Sequence, residues 1–365
     1  MRARRLLLVL AVAGIARPDA RAVGEPLPPL PAAAKLVLSE DWSSGRVEPS
    51  RWYSPRKRWG QGNNGVTPDN VRVVRSTEPG PRHYLVCQAN GDLYDGPVKG
   101  AGGKVTRVGG MVVSRAFLAS GRYEVAIRIG GRARVVGGPE DPLRPRGAVP
   151  AIWTYGYRLL KAPGDPDAFH PTVPAYNPHF KVWGDSNELW SEIDFPEFGA
   201  RGDFDKGLYN VFLQRKHQPR TGDVASVIDG RWHTLVTEWR TGLVPLPGVT
   251  DAQVTSHGGF HWVQDRSVDI NRYLGNPLRR LGPDRYAVCA GLRATHYIDG
   301  RKVAENPTFV PSMAAQLTLG VWLPEWGGPA PWKVAEVAFG PVRVWQYNDP
   351  GDVRGVIVSD VADNF

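Results

Sequence analysis

Cysteine is nearly absent from this chain of 365 residues, which has two, Cys87 and Cys289. So sparse a set cannot staple a small scaffold together, which excludes the disulfide-rich mini-domain class. No C-x-x-C pair and no His/Cys cluster is present, so the usual zinc sites are excluded as well. Both cysteines fall in apolar runs that read as strands, Tyr84-Leu85-Val86-Cys87-Gln88-Ala89 and Tyr286-Ala287-Val288-Cys289-Ala290. One bridge between them and two buried thiols fit those runs equally well. Long apolar stretches are lacking too. After the first 22 residues no segment offers the roughly 18 uncharged apolar positions a spanning helix needs, so no membrane span is expected. Nucleic-acid motifs are missing, although 45 Lys+Arg against 36 Asp+Glu leave a net charge of +9. A basic balance of this kind serves solubility or draws anionic substrates toward a cleft. No internal repeat or composition break marks a second globular domain.

What is present points to strands. Glycine at 42 and proline at 33, with short alternating apolar runs, indicate an all-β, loop-rich protein. At the N-terminus Arg2, Arg4 and Arg5 precede an apolar run from Leu6 to Ile15, then Ala20-Arg21-Ala22. That is the pattern of a secretory signal peptide over 1–22, so the mature protein is expected to be secreted, extracellular or periplasmic. Residues 23–34 are Pro/Ala-rich and read as a flexible lead-in. A single domain over 35–350 and a tail over 351–365 complete the division.

The most informative stretch is Trp190-Ser191-Glu192-Ile193-Asp194-Phe195-Pro196-Glu197-Phe198. Apolar and acidic residues alternate with a period of two, so it reads as a strand. Trp190, Glu192 and Asp194 then share one face, with Ser191, Ile193 and Phe195 on the other. Glu197 is offset from Glu192 by an odd number of residues, and a regular strand would turn it away. One surplus residue at Phe195-Pro196, a β-bulge, brings it back, and proline inside sheets favours such places. Like charges on one strand face repel and cost free energy to bury. They suit a pair of carboxyls tuned to different pKa values. Retaining glycoside hydrolysis uses such a pair about 5–5.5 Å apart. A solvated acidic strand or a calcium site accounts for the bare E-x-D-x-x-E spacing equally well.

The wider pattern favours the first reading. Asp41-Trp42 through Ser50-Arg51-Trp52, Trp59-Gly60-Gln61-Gly62-Asn63-Asn64, and Asn70-Val71-Arg72-Val73 come in order. Gly109 to Ser114, Gly121 to Arg128, and Pro150-Ala151-Ile152-Trp153 follow. Trp232-His233-Thr234, Tyr297-Ile298-Asp299-Gly300 and Val342-Arg343-Val344-Trp345-Gln346 come last. Together with the acidic strand these resemble glycoside hydrolase family sixteen, the laminarinase, agarase and carrageenase group, in its bulged form. The resemblance runs from about residue 40 to about 347.

The resemblance implies a concanavalin A-like jelly roll of two curved antiparallel sheets, with a substrate cleft across the concave one. It implies Glu192 as nucleophile and Glu197 as general acid and then base, with Asp194 between them hydrogen-bonded to Glu192. The activity implied is endo-hydrolysis of β-glycosidic bonds in a polysaccharide with retained configuration. A 1,3-β-glucan and a sulfated galactan are both in range. No cofactor is expected, and the protein is expected to be a monomer whose partner is the polysaccharide, neutral or anionic. Trp190 and Trp153 are candidate sugar platforms; Trp183 and Asn64 are further candidate substrate contacts. Trp59, Trp322 and Trp326 suit core or loop packing better. Many relatives hold calcium through an aspartate where this chain reads Gly340-Pro341, so no metal residue is assigned. A non-catalytic glycan-binding sandwich and a transglycosylase are the alternatives.

Three stretches exceed the compact family plan. They are 130–147, with Arg132, Arg134, Arg144 and Arg146; 157–189, with Tyr176, His179, Phe180 and Trp183; and 241–295. Loops this long are usually functional or disordered, and at least one is a candidate cleft wall.

Overall fold

A computed structural model describes residues 24–58, 63–130, 136–137, 143–159, 188–213, 216–257, 260–263 and 276–354. Among the described residues the strands are, in chain order, β1 (Lys35–Glu40), β2 (Trp52–Tyr53), β3 (Val71–Arg75), β4 (His83–Asn90), β5 (Gly110–Leu118), β6 (Gly121–Ile129) and β7 (Val149–Leu159). Next come β8 (Glu188–Glu197), β9 (Lys206–Leu208), β10 (Val211–Leu213), β11 (Lys216–Gln218), β12 (Thr221–Asp223) and β13 (His233–Leu246). The last are β14 (Val254–His257), β15 (Phe260–Val263), β16 (Leu278–Gly282), β17 (Arg285–Ile298), β18 (Arg301–Asn306), β19 (Ala315–Trp322) and β20 (Val334–Gln346).

They form two antiparallel sheets packed as a jelly-roll sandwich. The first has the order β14-β15-β16-β17-β13-β6-β20-β4-β3, with β1 on β20 and β18 on β17. The second has the order β11-β10-β8-β7-β19-β5-β2, with β9 joining β8 to β12. Alternation explains how the sheets close on each other. In β6, Tyr123, Val125, Ile127 and Ile129 point into the shared core, while Arg122, Glu124 and Arg128 take the other side. In the second sheet Ile152, Ile193, Leu317, Leu319 and Val321 meet them from across.

A second apolar layer lies on the opposite face of the second sheet. Met111, Val113, Val149, Ala151, Trp153 and Tyr155 form it with Val66, flanked by Tyr53, Trp322 and Trp326. The segment after β2 lies over this face, since Val66 bridges both Lys57 and Gly109. That layer and the acids of β8 share one surface.

Four expectations are corrected or resolved. The described part of the lead-in, 24–34, is tied down rather than flexible. Gly24 N donates to Lys302 O at 2.8 Å, Leu27 N to Gly300 O at 2.7 Å, and Arg122 Nη2 to Pro28 O at 2.6 Å. The described start of the tail is also ordered, with Val353 fully buried and Ala314 N donating to its carbonyl at 2.9 Å. The described part of the stretch 241–295 is largely sheet, not loop. β13 and β17 pair from Leu235↔Ile298 to Leu246↔Tyr286, with one register shift between Arg240 and Thr241, and the extension carries its own apolar cluster of Leu246, Val249, Val263, Leu278, Tyr286 and Val288. Both cysteines are buried free thiols. Burial pushes Cys87 far up and Cys289 up to about 11, so neither is a thiolate at neutral pH. Residues 1–22, where a signal peptide is expected, lie outside the described residues.

Candidate active site

The site is built on β8 and on the two strands beside it, β7 and β10. Across the β7–β8 ladder Tyr155 faces Glu192, Thr154 faces Ile193 and Trp153 faces Asp194; then Ala151 faces Glu197. Two steps along β7 therefore match three along β8, which places one surplus residue at Phe195-Pro196. The peptide bond between those two is cis. Packing on the inner side shows the consequence. Ile193, Phe195 and Phe198 all enter the core between the sheets, although Phe195 and Phe198 are three residues apart. Glu192, Asp194 and Glu197 accordingly share the outer face. Asp194 is the deepest at 2 % exposed, while Glu192 and Glu197 are half-buried and keep contact with solvent.

Each acid has distinct partners. Trp190 Nε1 donates to Glu192 Oε2 at 2.6 Å. The Trp190 ring lies parallel to Phe212 of β10, with centroids 4.9 Å apart and planes 4° off parallel. Phe212 stands directly opposite Glu192 in the β8–β10 ladder. Asp194 N donates to Asn210 O at 2.9 Å, and the Asn210 side chain bonds the Asp194 carboxyl. Asp194 also shares a hydrogen bond with Glu192.

These surroundings set the charge states. Burial, reinforced by the neighbouring Glu192 charge, pushes Glu197 up to about 8. Burial pushes Glu192 up to about 7, opposed by its hydrogen bonds from Trp190 and Asp194. Burial, then the charges of Glu197 and Glu192, raises Asp194 well above the carboxylate range, while Asn210 pulls the other way. Three acids this close cannot all ionise. Asp194, the most enclosed, keeps its proton and donates to Glu192. Glu192 then ionises more readily than Glu197, so the face can carry one carboxylate and one carboxylic acid at neutral pH. That is the pairing needed for nucleophilic attack at one face of a bond and protonation of its leaving atom.

The other sequence-predicted residues fall in different places. Trp153 is in the apolar layer, opposite Asp194 and 7 % exposed. Asn64 spends its amide on the fold: Nδ2 donates to Thr106 O at 2.6 Å, holding the segment before β5. Trp322 and Trp326 meet edge-to-face at 5.7 Å beside the apolar layer. Trp183 and Trp59, with most of 157–189, lie outside the described residues. In the first long stretch, Arg144 pairs with Asp205 at 2.9 Å. No cluster of His, Cys, Asp and Glu able to hold a metal ion occurs among the described residues.

Asn210 and Phe212 were not foreseen. Some signal was available: Asn210 is the one polar residue in the short apolar run Tyr209-Asn210-Val211-Phe212-Leu213. Only the pairing of β10 with β8 shows what that asparagine serves.

No protein-family model matches the chain, and no curated protein does. Solved structures do resemble it in overall shape. One is a prokaryotic beta-1,3-1,4-glucanase (lichenase) derived from a mouse hindgut metagenome, at 14% identity and TM-score 0.46, covering 84% of this chain and 97% of that one. Another is LamAcat from Zobellia galactanivorans, at 15% identity and TM-score 0.45, covering 85% and 97%. A third is SCLam, a non-specific endo-beta-1,3(4)-glucanase from family GH16, at 16% identity and TM-score 0.48, covering 89% and 96%. Likeness at this level concerns the shape of the chain and assigns no role to any residue in it.

Proposed function

We propose that this protein is a secreted endo-acting hydrolase of β-glycosidic bonds in a polysaccharide, working by double displacement with retention. The observation that carries this reading is the bulge in β8, which puts Glu197 on the same solvent-accessible face as Glu192. Glu192, as carboxylate, attacks the anomeric carbon while Glu197 gives its proton to the departing glycosidic oxygen. The bond to the leaving sugar breaks as the ester to Glu192 forms. Glu197, now ionised, takes a proton from water, whose oxygen displaces Glu192 and restores both groups. Asp194 holds Glu192 in orientation through their shared hydrogen bond. Trp190, half-buried beside Glu192, offers ring surface for the apolar face of a sugar, with neutral β-glucans and sulfated galactans both in range.

The test screens laminarin, lichenan, agarose, porphyran and carrageenans for new reducing ends, then follows the first-formed anomer by NMR. Cleavage with retained configuration is expected. Glu192→Gln and Glu197→Gln are expected to keep the fold and lose turnover by about 10³-fold or more. Azide should rescue Glu192→Gly and Glu197→Gly to glycosyl azides of opposite anomeric configuration. Near-normal rates in either glutamine variant would overturn the assignment. Tight binding of one of these glycans without any cleavage would make the protein a glycan-binding sandwich instead. Longer products from oligosaccharides would mark transglycosylation.

A further inference from the structure

Trp190 holds a position that a sugar platform alone does not require. Its indole N–H ends 2.6 Å from Glu192 Oε2, and one face of its ring is stacked on Phe212 at 4.9 Å and 4°. Phe212 is itself fixed by main-chain pairing, since β10 places it opposite Glu192 and Val211 opposite Ile193. Ile193 and Val211 are both fully buried on the core side, so the register of the two strands is set from behind. The ring cannot swing away from the carboxylate without breaking that stack.

We propose that Trp190 is a positioning residue for the nucleophile: clamped against Phe212, it holds Glu192 by one oxygen through its N–H. The proposal rests on the hydrolase reading for its kinetic consequence, although the hydrogen bond and its effect on Glu192 do not depend on it. With Oε2 engaged by the indole, the other oxygen of Glu192 is left for the Asp194 bond or for attack. A donor to the charged form favours that form. Trp190 therefore lowers the pH at which the nucleophile becomes available, against the burial that raises it. Among the described residues the groups facing Glu192 are few. Asp194 and Glu197 stand on its own strand and Tyr155 faces it from β7, while β10 presents the uncharged Phe212. Among the described residues no cation touches Glu192, so the indole N–H is an important donor to it.

Two variants separate this role from simple packing. Trp190→Phe keeps an aromatic ring for the stack and removes the N–H, while Phe212→Leu keeps the N–H and removes the stack. The first readout is the titration of Glu192 by ¹³C-carboxyl NMR on the full chain, which needs no substrate. In Trp190→Phe the Glu192 midpoint should rise by about one pH unit, a tenfold change in its ionisation constant. Phe212→Leu should move it the same way by less, and Phe212→Tyr should restore it. The second readout is kcat/KM against pH on whichever glycan of the screen is cleaved. The acid limb should move up by the same amount, with KM at high pH changed less than threefold. An unmoved Glu192 midpoint in Trp190→Phe, with KM raised tenfold or more, would overturn the proposal and leave Trp190 as a sugar platform only. If wild-type protein cleaved nothing while the NMR midpoint moved as expected, the hydrolase reading would fail and the Trp190–Glu192 relationship would stand.

Discussion

Ala151 stands opposite Glu197, although its neighbour but one, Trp153, stands opposite Asp194. The surplus residue between Asp194 and Glu197 decides on which face the second glutamate lies. Deleting Pro196 should therefore be milder than it first looks. Glu197 would follow Phe195 directly, regular alternation would still turn it outward, and Phe198 would still turn into the core. Inserting one alanine after Pro196 has the opposite effect: the deletion removes the bulge, whereas the insertion leaves it at Phe195-Pro196 and adds one residue of regular strand beyond it, which drives Glu197 toward the core side. The expected outcome is measurable activity in the deletion variant, within about a hundredfold of wild type, and loss beyond 10³-fold in the insertion variant. Rates on the cleaved glycan with melting curves for both proteins check it. Equal loss in the two would show that parity is not what positions Glu197.

The parity problem was visible in the sequence because strand periodicity is short-range. Glu192, Asp194 and Glu197 lie within one strand, and an odd offset with a proline inside it names its own remedy. The all-β class was visible for the same reason, in short alternating apolar runs, whereas the two-sheet jelly roll was an implication of the family resemblance. Residues joined only by strand pairing were not. Phe212 lies on a short strand, and Asn210 just before it, whose neighbour is set by topology, and nothing local tells which acid each will meet. The lead-in failed for a related reason. Its Pro/Ala composition lacks a strand pattern, but backbone carbonyls and amides need no pattern to pair with the turn before β18. The stretch 241–295 was misjudged because its strands extend β13 and β17 beyond the compact plan, and length alone does not distinguish a loop from a longer hairpin.

The pH dependence of turnover follows from the two raised glutamates. Glu192 must be ionised to attack, and burial with its opposing hydrogen bonds places it at about 7. Glu197 must be protonated to assist departure, and burial beside the Glu192 charge places it at about 8. Activity should therefore climb as pH rises toward 7 and decline as pH rises past 8, with the limbs belonging to the coupled cluster as a whole. A kcat/KM profile from pH 4 to 10 measures this. An optimum below pH 5 would mean that the acids are far better solvated in solution than their surroundings here allow.

Asn210 should matter more than its distance from the reacting atoms suggests. It holds Asp194 through both main chain and side chain, and it opposes the rise in the Asp194 pKa. Asn210→Ala removes the side-chain bond to a buried carboxyl, which costs about 1–3 kcal/mol of stability. Asp194 should then hold its proton more firmly, with its orientation toward Glu192 less fixed. A kcat about tenfold lower with little change in KM is expected, together with a lowered Tm. A loss confined to KM would place Asn210 in contact with sugar instead.

Glu197 should also make the protein less stable as pH rises, and removing its charge should reveal this. Its folded-state pKa of about 8 lies above the ordinary glutamate value of 4.5, so between those values the native state binds more protons than the unfolded chain. Stability falls with pH wherever the native state is the more protonated one. The wild-type protein should therefore lose stability progressively from about pH 4.5 to about pH 8, as ionising Glu197 becomes easier in the unfolded chain than in the site. Glu197→Gln is close in shape to the protonated acid and does not titrate. Its Tm should match wild type near pH 4.5 and exceed it at pH 8.5, by a margin on the order of 5 °C. Thermal melts of both proteins across that range decide the matter. Parallel curves would mean that Glu197 is solvated as freely in the folded protein as in the unfolded one, and a group so solvated would not keep a proton for the leaving oxygen at neutral pH.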